Sequence, residues 1–338
     1  MPTMHTQNQT FDIVALGELL IDFTTCGISE QGNRLLEANP GGAPGNFLAM
    51  LARLGFRTAM IAKVGRDQFG RDLRRTLEEC GIDTRHILLD PGHNTTLAFV
   101  HNDEHGDRDF SFYRNPGADM MLTADEIDPG IFRHTKAFHF GTISMTHPGV
   151  RAATLRALHL AQENGCLISF DPNIRPPLWK SMEEAAEQLH TGLSACHIAK
   201  LSAEELQLAT GIDNIDEAAL AILRQYPGIR FLSATMGKEG STAYCGGHRI
   251  HADTYTSVPA IDTTGAGDTY GACILGQILR HGIGNLTPET VTGMLLFANA
   301  AATIVTTRKG ALRAMPSPQE IASFMETHPA PATSSGLY

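Results

Sequence analysis

Residues 137–170 read AFHFGTISMTHPGVRAATLRALHLAQENGCLISF. Two short apolar runs, 137–140 and 167–170, bracket a helical segment at 150–164. Strand, helix, strand is the unit from which parallel sheets are built. The same alternation extends outward in both directions. Strands are predicted at 11–16 (FDIVAL, closed by Gly17), 58–64, 197–201 and 231–235. Helices are predicted at 46–54, between a glycine-rich turn and Gly55, and at 69–80, amphipathic and stopped by Gly81. Further helices are predicted at 181–194, 203–210 and 216–225. The expected fold class is α/β, with a doubly wound, mostly parallel sheet. Right-handed crossovers place the strand C-termini, and with them the ligand crevice, on one edge.

One region breaks the rhythm. Residues 95–100 (TTLAFV) and 109–114 (DFSFYR) are β-rich and flank a polar turn at 101–108, which predicts a hairpin projecting from the core as a lid. The first ten residues and the segment 329–338 (PAPATSSGLY) are expected to be flexible termini.

Composition narrows the function. The chain has 338 residues, 42% hydrophobic and 18% charged, a foldable composition. Its 26 basic and 36 acidic residues leave a net charge of −10, which argues against a nucleic-acid partner and against docking on an anionic membrane. The six cysteines are scattered with no CxxC pair, which fits reduced thiols in a cytoplasmic protein. The N-terminal decapeptide lacks the basic and apolar regions of a secretory signal. The longest apolar stretch, 294–305, is too short to span a bilayer.

The strongest chemical signal is DTTGAGD at 262–268, ahead of a buried-helix pattern at 269–280. Gly265 and Gly267 allow a tight turn that aims free N–H groups at one point, on the positive end of a helix. Such a point holds phosphate or a developing oxyanion. Asp268 falls in the first turn, where a carboxylate can take a proton from a hydroxyl. A plain helix-terminal charge is the competing reading. The glycine spacing is not that of a dinucleotide fold, and neither a Walker loop nor an HExxH pair is present. His101 and His105 read as solvated turn residues. A second glycine-rich turn, GGAPGN at 41–46, leads into a helix. Asn46 there, and Asp22 after a strand-like segment, are residue types that grip a polyol, or else a helix cap and a surface acid.

Taken together, GGAPGN…LARLG…VGRDQFG (41–70) and DTTGAGD (262–268) resemble the two signatures of the PfkB, or ribokinase-like, carbohydrate kinase family. The resemblance covers about residues 11–326. GELLIDF (17–23), FSFYRNPGADMML (110–122) and DPNIRPPLW (171–179) are most similar to the bacterial and plant fructokinases of that family. It implies a three-layer α/β/α sandwich with a small β-sheet lid contributed by segments 18–40 and 95–118. It also implies an ATP-dependent kinase acting on a primary hydroxyl, with fructose the expected sugar. 2-Keto-3-deoxygluconate, ribose or a nucleoside are alternative acceptors, and a non-catalytic sugar or nucleotide sensor is an alternative of another class.

Residue by residue, the resemblance makes Asp268 the base and Gly265, Ala266 and Gly267 the anion hole. It makes Asp22, Gly42 and Asn46 sugar ligands, and Arg114 and Arg175 basic contacts to sugar or phosphate. Thr235 and Gly237 form the nucleotide wall, in TMGKEG (235–240), and Asn299 lies near the adenine, in ANAAATIVTTRKGA (298–311). Glu205 organises Mg2+ through water, while Ser202 replaces the family's asparagine in that motif. Backbone near Asp262, Thr264 and 306–311 holds a monovalent cation, K+. A homodimer through the lid is expected from the apolar faces such a hairpin exposes. Lys238 reads as solvated, and Trp179 and Phe112 as packing.

Overall fold

The computed structural model describes residues 10–102 and 108–338. In chain order the strands are β1 (Phe11–Leu16), β2 (Leu20–Ile28), β3 (Arg34–Gly41), β4 (Thr58–Gly65), β5 (Ile82–Asp83), β6 (Ile87–Asp90), β7 (Thr96–Asn102), β8 (Arg108–Tyr113), β9 (Thr135–Phe140), β10 (Leu167–Phe170), β11 (Ile198–Ser202), β12 (Phe231–Thr235), β13 (Ser241–Cys245), β14 (His248–Ala252) and β15 (Thr333–Leu337). The helices are α1 (Ala43–Arg53), α2 (Gln68–Glu79), α3 (Pro148–Glu163), α4 (Met182–Ala195), α5 (Ala203–Thr210), α6 (Ile215–Gln225), α7 (Ala266–His281), α8 (Pro288–Thr306) and α9 (Pro318–Thr327).

The central sheet runs β15-β14-β13-β12-β11-β10-β9-β1-β4-β5, with β6 also on β4. From β12 through β10, β9 and β1 to β4 the pairing is parallel. β1 shows why. FDIVAL is buried throughout, as a strand covered on both faces must be. Alternate residues enter opposite cores: Ile13 and Ala15 pack with α1, α2, α7 and α8, Val14 and Leu16 with α3, α4 and α6. The result is the expected sandwich of three layers.

β12–β13, β13–β14 and β14–β15 pair antiparallel. The alternation reading missed β13 and β14 because a two-residue turn, Gly246-Gly247, replaces a helix there; both glycines have positive φ. The expectation that 329–338 is flexible is overturned for its last half. Thr333–Leu337 is an exposed strand on β14 from His248↔Leu337 to Ala252↔Thr333. TSSGL has little apolar content, so backbone pairing with an otherwise open edge holds it, not side-chain burial. Met1–Gln9, and His105 with the tip of the predicted turn, lie outside the described residues.

A second sheet, β3-β2-β7-β8, forms the lid. β7 and β8 are the predicted hairpin, antiparallel from Leu97↔Tyr113 outward. β2 and β3 form an antiparallel ribbon with a register shift between Thr25 and Gly27. Phe23 ties this sheet to the body, edge-on to Phe69 of α2 at 5.8 Å and stacked on Phe99 at 5.0 Å.

α8 is long and apolar enough to cross a membrane, but 56% of that window is buried against its neighbours in the chain. All six cysteines are free thiols.

Gly192, inside α4, is a poor helix residue with a packing reason. A Cβ there would enter the Phe170 ring at the end of β10, itself 1% exposed. Gly192→Ala is expected to lower unfolding free energy by about 1–3 kcal/mol through overpacking. Urea denaturation measures it, and an unchanged or raised midpoint would contradict this packing.

Candidate active site

The parallel strands end on one edge, and the side chains that follow them converge there. Asp171 follows β10, Lys200 and Ser202 end β11, and Glu18 follows β1. α7 starts at the same edge. Gly265, its N-cap, has φ 79, and a Cβ there would lie 2.7 Å from that of Ala311. Only glycine suits both conditions. A cavity of about 730 Å³ lies over this edge, within the usual range for a small-molecule site. Its floor carries Asp268, Gly267, Gly265, Lys200 and Asn46, and its lid side carries Asp22 and Phe112.

Asp268 is the centre. Asn46 Nδ2 donates to Asp268 Oδ2 at 2.8 Å across 222 residues of sequence. Asn46 Oδ1 is buried with no acceptor role filled in the structure. An orphaned acceptor beside a cavity is a place for a ligand hydroxyl. Desolvation, reinforced by the nearby Asp171 charge, pushes the Asp268 carboxyl up to about 6; the Asn46 amide, Lys200 and Arg175 pull the other way.

Lys200 Nζ donates to both Asp171 oxygens, at 3.1 and 3.0 Å. A Cβ on Gly267 would sit 3.3 Å from that nitrogen, so the ammonium lies directly against the first turn of α7. Burial disfavours the Lys200 cation, but Asp171 and Glu205 outweigh it and hold its pKa above the ordinary lysine value. Lys200 therefore faces Asp171, Glu205 and Asp268, and Arg175 is the second cation on the cavity. Sequence reading missed Lys200 and Asp171. A lysine inside the apolar run IAKLS was the available signal, since buried lysines are rare unless paired.

Glu18 was missed too. Its Oε1 accepts the Ala43 N–H at 2.9 Å, at the start of α1. Burial pushes its carboxyl up to about 7, against the pull of its own and the Ala43 backbone amides. Gly42 has φ 119, and a Cβ there would collide with the Glu18 carbonyl. The turn 41–46 is thus pinned to the end of β1, at the root of both lid strands. Behind the site, His139 stacks on Phe47 at 3.6 Å and meets Ser169 Oγ at 3.0 Å. Burial lowers its pKa to about 4, so it stays neutral.

The structure brings together Asp22, Gly42, Asn46, Arg175, Glu205, Thr264, Gly265, Gly267 and Asp268 on this one cavity. Phe112, read as packing, also lines it and offers an apolar wall. Trp179 is core, as expected. The Ala266 amide donates to Thr263 O at 3.3 Å, so it belongs to the turn itself. Glu205 caps α5: its oxygens accept from Ile174 N at 2.9 Å and Ser202 N at 2.8 Å.

Two expected contacts sit elsewhere. Arg114 is 8% exposed and does not line the cavity. Its Nε donates to Asp119 at 2.7 Å, Nη1 to Thr146 Oγ1 at 2.7 Å and Nη2 to Ile143 O at 3.1 Å. It braces the segment after β8. Asn299 is also engaged internally: it accepts from Ser241 Oγ at 3.1 Å and donates to the carbonyls of Ala252 and Asp253, both at 3.1 Å. It fixes the end of β14 from behind.

Thr235 and Gly237 lie one strand over from Ser202, its β12 register partner being Thr235. Asp262 Oδ1 accepts from Thr264 N at 2.8 Å, and Oδ2 from Gly310 N at 3.3 Å. The loops 262–264 and 306–310 are thereby laced together. No cluster of three or more His, Cys, Asp or Glu side chains fit to hold a metal occurs among the described residues.

Comparison with known proteins covers nearly the whole chain. The chain is 40% identical over 317 residues to a probable fructokinase-2 of Arabidopsis thaliana, covering 93% of this chain and 95% of that one. A fructokinase from Xylella fastidiosa with bound ATP superposes with a TM-score of 0.85 at 31% identity, over 94% of this chain and 98% of that one. A double mutant of a Vibrio cholerae O395 fructokinase, in a fructose, ADP and potassium ion bound form, gives 0.83 at 29% identity, over 93% and 98%. The sequence matches the pfkB family carbohydrate kinase model over residues 10–318, and with Asp268 set at a glycine-turned helix start above a parallel sheet edge, the chain belongs to that family.

Proposed function

We propose that this chain transfers the γ-phosphoryl group of ATP to a primary hydroxyl of fructose, giving fructose 6-phosphate and ADP. The observation that carries the reading is Asp268: a carboxyl raised toward neutrality, touching Asn46, at the mouth of a helix N-terminus. The hydroxyl oxygen attacks phosphorus, its proton passes to Asp268, and the bond to the ADP oxygen breaks. Free N–H groups at the start of α7, together with Lys200, face the charge on the transferring group. Asp22, Asn46 and Gly42 hold the sugar, with Phe112 over its apolar face. Arg175 stands on the phosphate side. The lid sheet closes over the acceptor and excludes water, which suppresses ATP hydrolysis.

Thr235 and Gly237 receive the nucleotide. Bound with the triphosphate, magnesium would supply charge neutralisation there. The excess of carboxylate over cation at the floor suits that ion. Glu205, whose oxygens accept the Ile174 and Ser202 amides, would organise the water around that ion. Carbonyls around 262–264 and 306–311 suit a potassium ion.

A carboxylate-bearing acceptor such as 2-keto-3-deoxygluconate would need a free cationic contact. Arg114 was the candidate, and its guanidinium is committed to Asp119, Thr146 and Ile143. Arg175 remains on the cavity, so the preference for a neutral ketose rests on the likeness to fructokinases. A cytoplasmic location fits the free thiols. Ile28, Leu35, Leu36 and Tyr113 are exposed on the lid sheet, at 65%, 45%, 39% and 68%. They suit a homodimer through the lid; light scattering should read a dimer, and a monomer at micromolar concentration would count against it.

Three further outcomes are expected. In a coupled ADP-release assay with fructose, ribose, 2-keto-3-deoxygluconate and adenosine, fructose should give the highest kcat/KM. Asp268→Asn should keep the fold and ADP binding while kcat falls about 10²–10⁴-fold; near-normal turnover in that variant rejects the mechanism. The base works only when deprotonated, so kcat/KM for fructose should fall as pH drops through about 6. An acid limb near the ordinary carboxylate range, close to 4, would show that Asp268 is not the titrating group.

A further inference from the structure

A second cavity, about 710 Å³, lies along the same sheet edge. Its position follows from strand order. The first cavity covers the ends of β1, β10 and β11. The second begins one strand further, at Met236 after β12, and reaches Lys238, Glu239 and the segment 253–257 after β14. Its far wall is Pro329, Ala330, Pro331 and Ala332.

That wall exists because the chain end is ordered. β15 adds to β14 over five register pairs, and Ala332 O accepts from Asp253 N at 2.9 Å. Tyr338 N donates to Gly247 O at 3.1 Å and closes the far end of the strand. Because β15 runs antiparallel to β14, its first residues emerge at the edge where ligands bind. The family match stops at residue 318, so this wall lies beyond it.

We propose that the C-terminal segment 329–337 completes the donor site, its Pro-Ala-Pro-Ala turn forming the outer wall against the base and ribose of the adenine nucleotide. This rests on the reading of Thr235 and Gly237 as the nucleotide wall. The geometry puts acceptor, phosphates and nucleoside in one line along the sheet edge: lid and β1, then Lys200 and α7, then β12 to β15. Lys238 and Glu239, both exposed, stand on the rim of this second cavity. Pro329 and Pro331 offer apolar surface to a purine, and the Thr254 peptide offers polar contacts to its edge. Asn299 and Ser241 hold Ala252 and Asp253 in place from below, and backbone pairing with β14 holds the tail.

Two measurements test this with ADP as probe. Ending the chain after His328 should weaken ADP binding about tenfold by calorimetry, roughly 1.4 kcal/mol, and raise KM for ATP alike, while KM for fructose stays. In the full chain, saturating ADP should slow amide exchange across 330–337 as well as 235–240. Slowing confined to 235–240, or undiminished ADP affinity in a folded truncated chain, overturns the role of the tail while leaving the nucleotide reading intact. A full chain in which ADP neither binds nor slows exchange at 235–240 overturns both.

Discussion

One ammonium group, Lys200 Nζ, stands among three carboxylates where a parallel sheet ends and a helix begins. Asp171 holds it at 3.0 and 3.1 Å, and the first turn of α7 rests on it. As a stabiliser such a pair is worth little, because desolvating two charges offsets most of their attraction. A well-packed apolar pair could replace it with no loss of fold. Its place is understood through charge: it is the fixed cation beside the helix N-terminus, and it keeps Asp268 from rising further above 6. Without it Asp268 and Glu205 would lose charge compensation in a desolvated pocket, and both carboxyls would rise further.

The rest of the architecture serves that cluster. β1, β9, β10 and β11 are buried on both faces and hold their C-terminal ends level. Glu18 and Gly42 join the roots of β2 and β3 to the start of α1, so the lid is hinged on the same turn that presents Asn46. Asn46 then spans the two halves of the chain, donating to Asp268 and leaving one acceptor for a ligand. A single hydrogen bond between side chains 222 residues apart thus ties the turn at 41–46 to the start of α7.

Polar groups near the site divide into those that face ligand and those that shape the wall. Arg114 and Asn299 belong to the second kind, although their types and positions suggested the first. Each has its hydrogen-bonding capacity filled by buried partners, and each fixes a segment whose neighbours line a cavity. A buried guanidinium left unpaired would cost several kcal/mol, so once Asp119 is within reach the internal pairing wins.

The amino-acid sequence by itself determined the strand–helix alternation, the hairpin lid and both glycine turns, because those depend on local periodicity and on backbone freedom that only glycine has. It also determined Asp268, whose setting of turn, helix start and carboxylate is written in seven consecutive residues. Tertiary structure alone decided which charges face each other. Lys200 against Asp171, Arg114 against Thr146 and Glu18 against Ala43 are pairings across separate elements, invisible to any local pattern. It also decided the fate of the last residues: TSSGL carries no apolar signal, and becomes a strand only because β14 presents it with an open edge.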